Sequence, residues 1–439
     1  MYKTGNWRLV LGLVVIWLVM GGGVTPVWGM PGAQSEPVVS TVPVRVESGG
    51  TYAFGQSLTF WLEVEGQKRI EGVTLFIGAA TLPNTYATAV PLTPGQTISV
   101  NHQIDISAAS PDRIALPLAP FATVRYWWYV HYADGSGYES VAQTLAYDDD
   151  QFAWQMTSRG GMTAYWTGDE AAIGQWALDV AEQAEAELAG LVPGEAKRPL
   201  RIYIYPSSSD LRAALRLTGR DWVGGHAAPE LGVIMVTAVN PRTALADLQR
   251  SIPHEMAHLF IYEAAGIGFR NVPRWFDEGV ASLAEAGGAP GYERALAEAV
   301  ARRETLPLAG LCARLPVATE EVVLAYGQSR SLLAFIEREY GRQKIGEMVL
   351  AWADGANCDT AVRRSLGLTL AQLEEAWLQS LYPRPWWQRF WGRYGIWFIL
   401  LFLGGGLSGL LVWPEMGVEE GGDEAEGEGE EVLETAVLG

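Results

Sequence analysis

The run Pro253-His254-Glu255-Met256-Ala257-His258 constrains this chain more than any other part of it. It lies in the segment 244–262, whose apolar residues recur with a helical period. On a helix, side chains four apart share a face, so His254 and His258 can present two imidazoles to one tetrahedral ion. Glu255 sits about a hundred degrees round the helix from His254, near enough to take a proton from water without becoming a ligand. Pro253 removes one backbone hydrogen bond, which predicts a kink just before the two histidines.

Two imidazoles do not complete a zinc site, and the sequence offers a third donor. Pro273-Arg274-Trp275-Phe276-Asp277-Glu278-Gly279-Val280-Ala281 follows a glycine-containing turn over 264–272. Pro273 suits the first turn of a new helix and would place Glu278 one turn in. The apolar neighbours of Glu278 argue for an inward position, the alternative being a carboxylate on a solvated helix face.

The pattern His254-Glu255-x-x-His258 with a later Trp-Phe-x-Glu278-Gly-x-Ala resembles the gluzincin superfamily, which includes thermolysin and the peptidase MA-like bacterial proteins. The resemblance covers roughly residues 200–380. It implies an α+β zincin-like fold, zinc held by His254, His258 and Glu278, and Glu255 as general base in peptide-bond hydrolysis. One turn beyond its glutamate ligand the thermolysin pattern has an aspartate supporting a histidine, whereas this chain has Ser282. Asp277 and Glu285 are the remaining candidates for that support. The family also carries a tyrosine or histidine that donates to the oxyanion. Leu324-Ala325-Tyr326-Gly327-Gln328-Ser329 resembles the stretch that holds this tyrosine in peptidase MA-like proteins, which nominates Tyr326 as a catalytic residue. A core tyrosine on an apolar helix is the competing reading, and His226 is a second candidate. The resemblance further implies that an extended peptide lies along an exposed edge strand, for which the segment 232–236 is available.

The rest of the chain sets that domain in context. At 439 residues, the sequence is too long for one ordinary core. Residues 1–33 carry Lys3 and Arg8, then an apolar run and small residues, the pattern of a secretory signal peptide. Residues 34–147 are rich in Val, Thr, Tyr and Trp, with a hairpin signal at Ala133-Asp134-Gly135-Ser136-Gly137 between 124–131 and 138–145. They read as an all-β immunoglobulin- or fibronectin-like sandwich. Residues 148–383 mix strands and helices and form the metallopeptidase domain. The apolar stretch 395–413, flanked by tryptophans, reads as a transmembrane helix. Residues 414–439 hold ten acidic side chains and no Lys or Arg, the composition of a disordered tail. Setting those ten charges aside reduces the net −19 to −9 and leaves no basic stripe, which disfavours nucleic-acid binding.

Cys312 and Cys358 are the only two cysteines, and both fall in the segment placed outside the cytoplasm, so a single disulfide is the simplest reading. The sequence therefore describes a membrane-anchored, extracytoplasmic zinc metallopeptidase with a peptide or protein substrate and one membrane pass through the C-terminal helix. The alternatives are a catalytically idle cell-surface binding protein that uses the β-sandwich, and a tethered structural protein whose zinc only stabilises the fold. Retention of Glu255 favours hydrolysis, because a purely structural zinc site needs no water-activating carboxylate.

Overall fold

The computed structural model describes residues 42–411 except 83, 108–115, 117, 195–198, 217–224, 241, 288–289, 317–318 and 383–385. The signal peptide expected at 1–33 and the acidic tail at 414–439 lie outside the described residues. In chain order the first strands are β1 (Arg45–Ala53), β2 (Ser57–Ala79), β3 (Tyr86–Val90), β4 (Gly95–Asp105), β5 (Ala122–Tyr132), β6 (Gly137–Glu139), β7 (Gln143–Tyr147), β8 (Gln155–Arg159) and β9 (Met162–Trp166). Helix α1 (Ala172–Ala189), β10 (Leu200–Tyr205), α2 (Ser208–Arg216), β11 (Gly225–Ala228) and β12 (Val233–Thr237) follow. The remainder is helical: α3 (Ala244–Ala265), α4 (Arg274–Ala284), α5 (Pro290–Arg302), α6 (Leu308–Ala313), α7 (Thr319–Tyr340), α8 (Gln343–Ala353), α9 (Cys358–Leu366), α10 (Leu370–Leu381) and α11 (Trp386–Leu411). Two compact units emerge, the first of Met1–Gly174 with Arg201–Pro241, the second of Gln175–Leu200 with Arg242–Gly439.

In the first unit, β2 organises the N-terminal sheet. Its residues Ser57 to Glu65 pair antiparallel with both β1 and β4, and Val73 to Ile77 pair with both β3 and β5. The register shifts between Glu65 and Ile70, a bulge of the kind that lets one strand turn a corner and change partners. Alternation of buried residues with partly or fully exposed ones along Leu58–Gly66 shows why this sequence makes a strand with one face inward. The β-rich region is present: β2 pairs with β1, β3, β4 and β5, and β5 adds β6 and β7, a pairing that does not by itself establish an immunoglobulin-like sandwich. The expected hairpin forms: Val130 pairs with Tyr138 and Val124 with Leu145 across the turn at Gly135, which adopts φ 81°.

The second sheet has the order β11-β12-β10-β9-β8, with β10 and β12 parallel and β11 antiparallel to β12. This corrects the expectation that the segment 232–236 is an exposed edge. Val233 to Val236 are fully buried and hydrogen-bonded on both sides, and the edge is the short β11. Four apolar residues in succession are the mark of an interior strand, covered on both faces.

The elements that lie wholly in the second unit are helices among the described residues. Helix α4 lies between α3 and α7, α5 packs on α7, and α8 contacts α3, α7 and α9. Two glycines make α7 approachable: a Cβ on Gly279 of α4 would stand 3.1 Å from the Ser329 carbonyl oxygen, and one on Gly327 would stand 2.6 Å from that of Tyr292 on α5. The C-terminal part is secured by Cys312–Cys358, a disulfide that spans 46 residues and includes α7 in its loop. In the chain-entropy model such closure is worth about 4 kcal/mol. Helix α10 begins with the full capping box Thr369/Gln372.

A helix does form where the transmembrane segment is expected, but among the described residues no helix is long and apolar enough to cross a membrane. The membrane span expected at 395–413 is therefore not supported among the described residues. Trp387, Trp391 and Trp397 are exposed.

Candidate metal centre

Helix α3 is apolar on nearly every side, and a helix of that composition belongs in a core. That burial carries His254 and Glu255 inward with it. Pro253 creates the expected local defect, since it cannot donate to the carbonyl of Gln249. That carbonyl instead accepts from the backbone N–H of Ala286 at 3.3 Å, just past the end of α4. The lost intrahelical bond thus becomes a tie between α3 and the residue after Glu285. Sequence reasoning missed this tie, although the proline that frees the acceptor was in plain view.

Helix α4 is held at its other end by aromatic packing. Trp275 and Phe276 are fully buried, and the Phe276 ring lies 4.5 Å from that of Trp352 on α8. With these two rings fixed, the next residues, Asp277 and Glu278, face α3 and are 2% exposed. The structure thereby brings His254, His258 and Glu278 together, with one potential ligand atom from each lying within 4.8 Å of the others. Glu278 Oε2 is 3.6 Å from His254 Nε2 and 3.9 Å from His258 Nε2. Two ligands on a tetrahedral zinc are about 3.3 Å apart, so a small contraction would seat the ion.

The outward nitrogens are fixed separately. His254 Nδ1 bonds Glu285 Oε1 at 2.9 Å, and His258 Nδ1 bonds Asp277 Oδ1 at 2.7 Å. Each carboxylate accepts a hydrogen bond from Nδ1–H, which in the neutral ring leaves the Nε2 lone pair directed at Glu278. Both candidates for histidine support are therefore used, one per histidine. Ser282, which stands where thermolysin-type sequences have an aspartate, leaves its hydroxyl buried without a hydrogen-bond partner among the described residues.

A cation is needed to make sense of the remaining atoms. Glu278 Oε2 is buried and lacks a hydrogen-bond partner among the described residues, a costly state for a carboxylate oxygen unless it ligates. Glu278 Oε1 accepts from Arg274 Nη2 at 2.5 Å, and Asp277 Oδ2 accepts from Arg274 Nη1 at 3.2 Å. Arg274 also escaped the sequence reading, although its spacing of three and four residues from the two carboxylates was the available signal. The donor set of two imidazoles and one carboxylate, each already oriented, fits zinc.

The electrostatics agree with that fit. Burial opposes charge on His254, but Glu278 and Glu285 push its pKa well above the ordinary imidazole value. His258 is raised in the same way by Asp277. Glu278 is held down despite its burial by the two histidines and Arg274. Glu255 is pushed up by burial, against the pull of the two histidines.

Tyr326 is brought to the site. Its phenol is buried on α7 beside Glu278, and burial followed by the Glu278 charge raises its pKa. Tyr292 of α5 meets it edge to face at 5.8 Å. His226 lies on β11 in the first unit and is half-buried.

Residues 180–383 match the family model of the Peptidase MA superfamily, which supports the gluzincin-type resemblance carried by the motif. Among solved structures, an M1 zinc metallopeptidase from Deinococcus radiodurans is 14% identical over 77% of this chain and 94% of its own, with a TM-score of 0.29. An aminopeptidase N family protein from Idiomarina loihiensis is 9% identical over 75% of each chain, with a TM-score of 0.36. Scores this low add no weight to the reading. No curated protein matches the sequence.

The carboxylate pairs generate a test. Asp277→Asn and Glu285→Gln should each weaken zinc binding by about tenfold to a hundredfold in a chelator competition, with helical content unchanged. Wild-type affinity in both variants would show that these carboxylates do not orient the imidazoles.

Proposed function

We propose that this chain is a zinc-dependent metallopeptidase, a reading supported by the Peptidase MA superfamily match over residues 180–383. The observation that carries it is the set of buried His254 and Glu278 with half-buried His258, with Glu255 beside it and no other assigned use for that carboxylate. Held by those three ligands, zinc would supply Lewis acidity to a peptide carbonyl and to water.

The protein's own residues then divide the work. Glu255 follows His254 on the same buried helix and has no hydrogen bond to a neighbouring element among those described, so it is free to take a proton from the attacking water. Its burial raises its pKa, which strengthens it as a base and later as the acid that protonates the leaving amine. Tyr326, beside Glu278, would donate its phenol toward the oxygen that becomes negative in the tetrahedral intermediate. Arg274, engaged with Asp277 and Glu278, fixes the ligand helix rather than the substrate. A catalytically idle binding protein would have no need for Glu255, and nothing in the second unit favours that alternative.

Role separation makes the experiment decisive. Glu255→Gln should keep one zinc per chain and lose at least about a thousandfold in peptide hydrolysis, while Glu278→Ala should lose the metal. Undiminished turnover in Glu255→Gln would rule the mechanism out.

The proposal extends to location. An extracytoplasmic site is supported by the signal-like residues 1–33 and by the Cys312–Cys358 disulfide. Exposed Trp387, Trp391 and Trp397 on α11 support contact with a membrane interface, where indole rings partition. The full chain should float with anionic liposomes, and serine at those three positions should abolish flotation. Flotation that persists in the triple variant would remove α11 as the attachment.

A further inference from the structure

Beside the metal centre, within the second unit, lies a cavity of about 430 Å³. Its lining includes three arginines, Arg270, Arg274 and Arg314, and no acidic residue. That is unusual for a chain of net charge −19. Arg274 is already committed to Asp277 and Glu278. Arg270 and Arg314 are exposed, and their guanidinium groups engage no hydrogen bond or ion pair among the described residues. The Cys312–Cys358 disulfide forms part of the wall and ties the end of α6, which leads to Arg314, to the start of α9.

Two guanidinium groups without a hydrogen-bond or ion-pair partner among the described residues, lining one cavity, form a receptor for a carboxylate, which arginine can grip with two parallel N–H donors. The cavity volume accommodates a carboxyl-bearing residue together with its neighbours in a peptide. Arg274 links it to the chemistry, since the same side chain lines the cavity and lies 2.5 Å from ligand Glu278.

We propose that this cavity is a specificity subsite that binds a carboxylate of the peptide substrate, with Arg270 and Arg314 as its selective residues. The proposal rests on the peptidase reading above and names its substrate class: peptides with an acidic side chain, or the free C-terminal carboxylate, near the scissile bond. Arg270 and Arg314 are specificity determinants and take no part in the bond-breaking step.

The test uses the full chain loaded with zinc and quenched-fluorescence peptides in which Asp and Glu, or Asn and Gln, are placed within three residues of the scissile bond. Each peptide is made with a free and with an amidated C-terminus, which separates a side-chain source from a terminal one. Acidic peptides should exceed their amide counterparts by about tenfold in kcat/KM, and Arg270→Glu with Arg314→Glu should erase that preference while neutral peptides are cut as before. Binding of the same peptides to zinc-loaded Glu255→Gln, followed by fluorescence anisotropy, gives a readout independent of turnover. Arginine-dependent binding of acidic peptides by that variant, with no hydrolysis by wild type, would sustain the subsite and overturn the peptidase reading. Hydrolysis with no carboxylate preference, unchanged by the arginine variants, would overturn the subsite and leave the peptidase reading intact.

Discussion

Two neighbouring imidazoles can share a cation only if each keeps its proton on the nitrogen that faces away from it. In this protein the Glu285 and Asp277 carboxylates impose that condition, each accepting from one Nδ1. The rest of the second unit serves those two bonds. Trp275 and Phe276 lock the start of α4 so that Asp277 meets His258, and the Ala286 to Gln249 bond brings the end of α4 to α3 so that Glu285 meets His254. The proline one position before the first ligand is therefore a connector as well as a defect.

Four carboxylates, those of Glu255, Asp277, Glu278 and Glu285, are buried around two imidazoles. Burying charge is expensive unless it is paired, and Arg274 answers only part of the excess. In the metal-free state the histidines respond by holding protons more tightly. A divalent ion between the two Nε2 atoms and Glu278 would displace those protons and neutralise the same excess. Metal affinity and the stability of this core thus draw on one set of charges.

Much of this site was legible because helical spacing is a short-range rule. The four-residue interval of His254 and His258 and the apolar surroundings of Glu278 required no knowledge of distant packing. The disulfide was readable from a count of two. Asp277 and Glu285 were visible as candidates, but dividing them between the histidines depends on how α4 crosses α3, which no local pattern encodes. Arg274 was missed because a charged residue in the first turn of a helix ordinarily faces solvent. The buried run 233–236 was misread as an edge because a short apolar run does not say how many neighbours its strand has; here β10 and β11 flank it. The apolar length of 395–413 suggested a span, but no helix among the described residues is long and apolar enough to make one.

The central claim is that His254, His258 and Glu278 complete a zinc site of mixed nitrogen and oxygen ligation. X-ray absorption at the zinc edge of the purified, metal-loaded chain tests it most directly. The account predicts four or five light-atom neighbours at about 2.0–2.1 Å with the outer-shell scattering of two imidazoles, reduced to one imidazole in His258→Ala. A zinc shell containing sulfur, or one unchanged by replacement of His258, would contradict it.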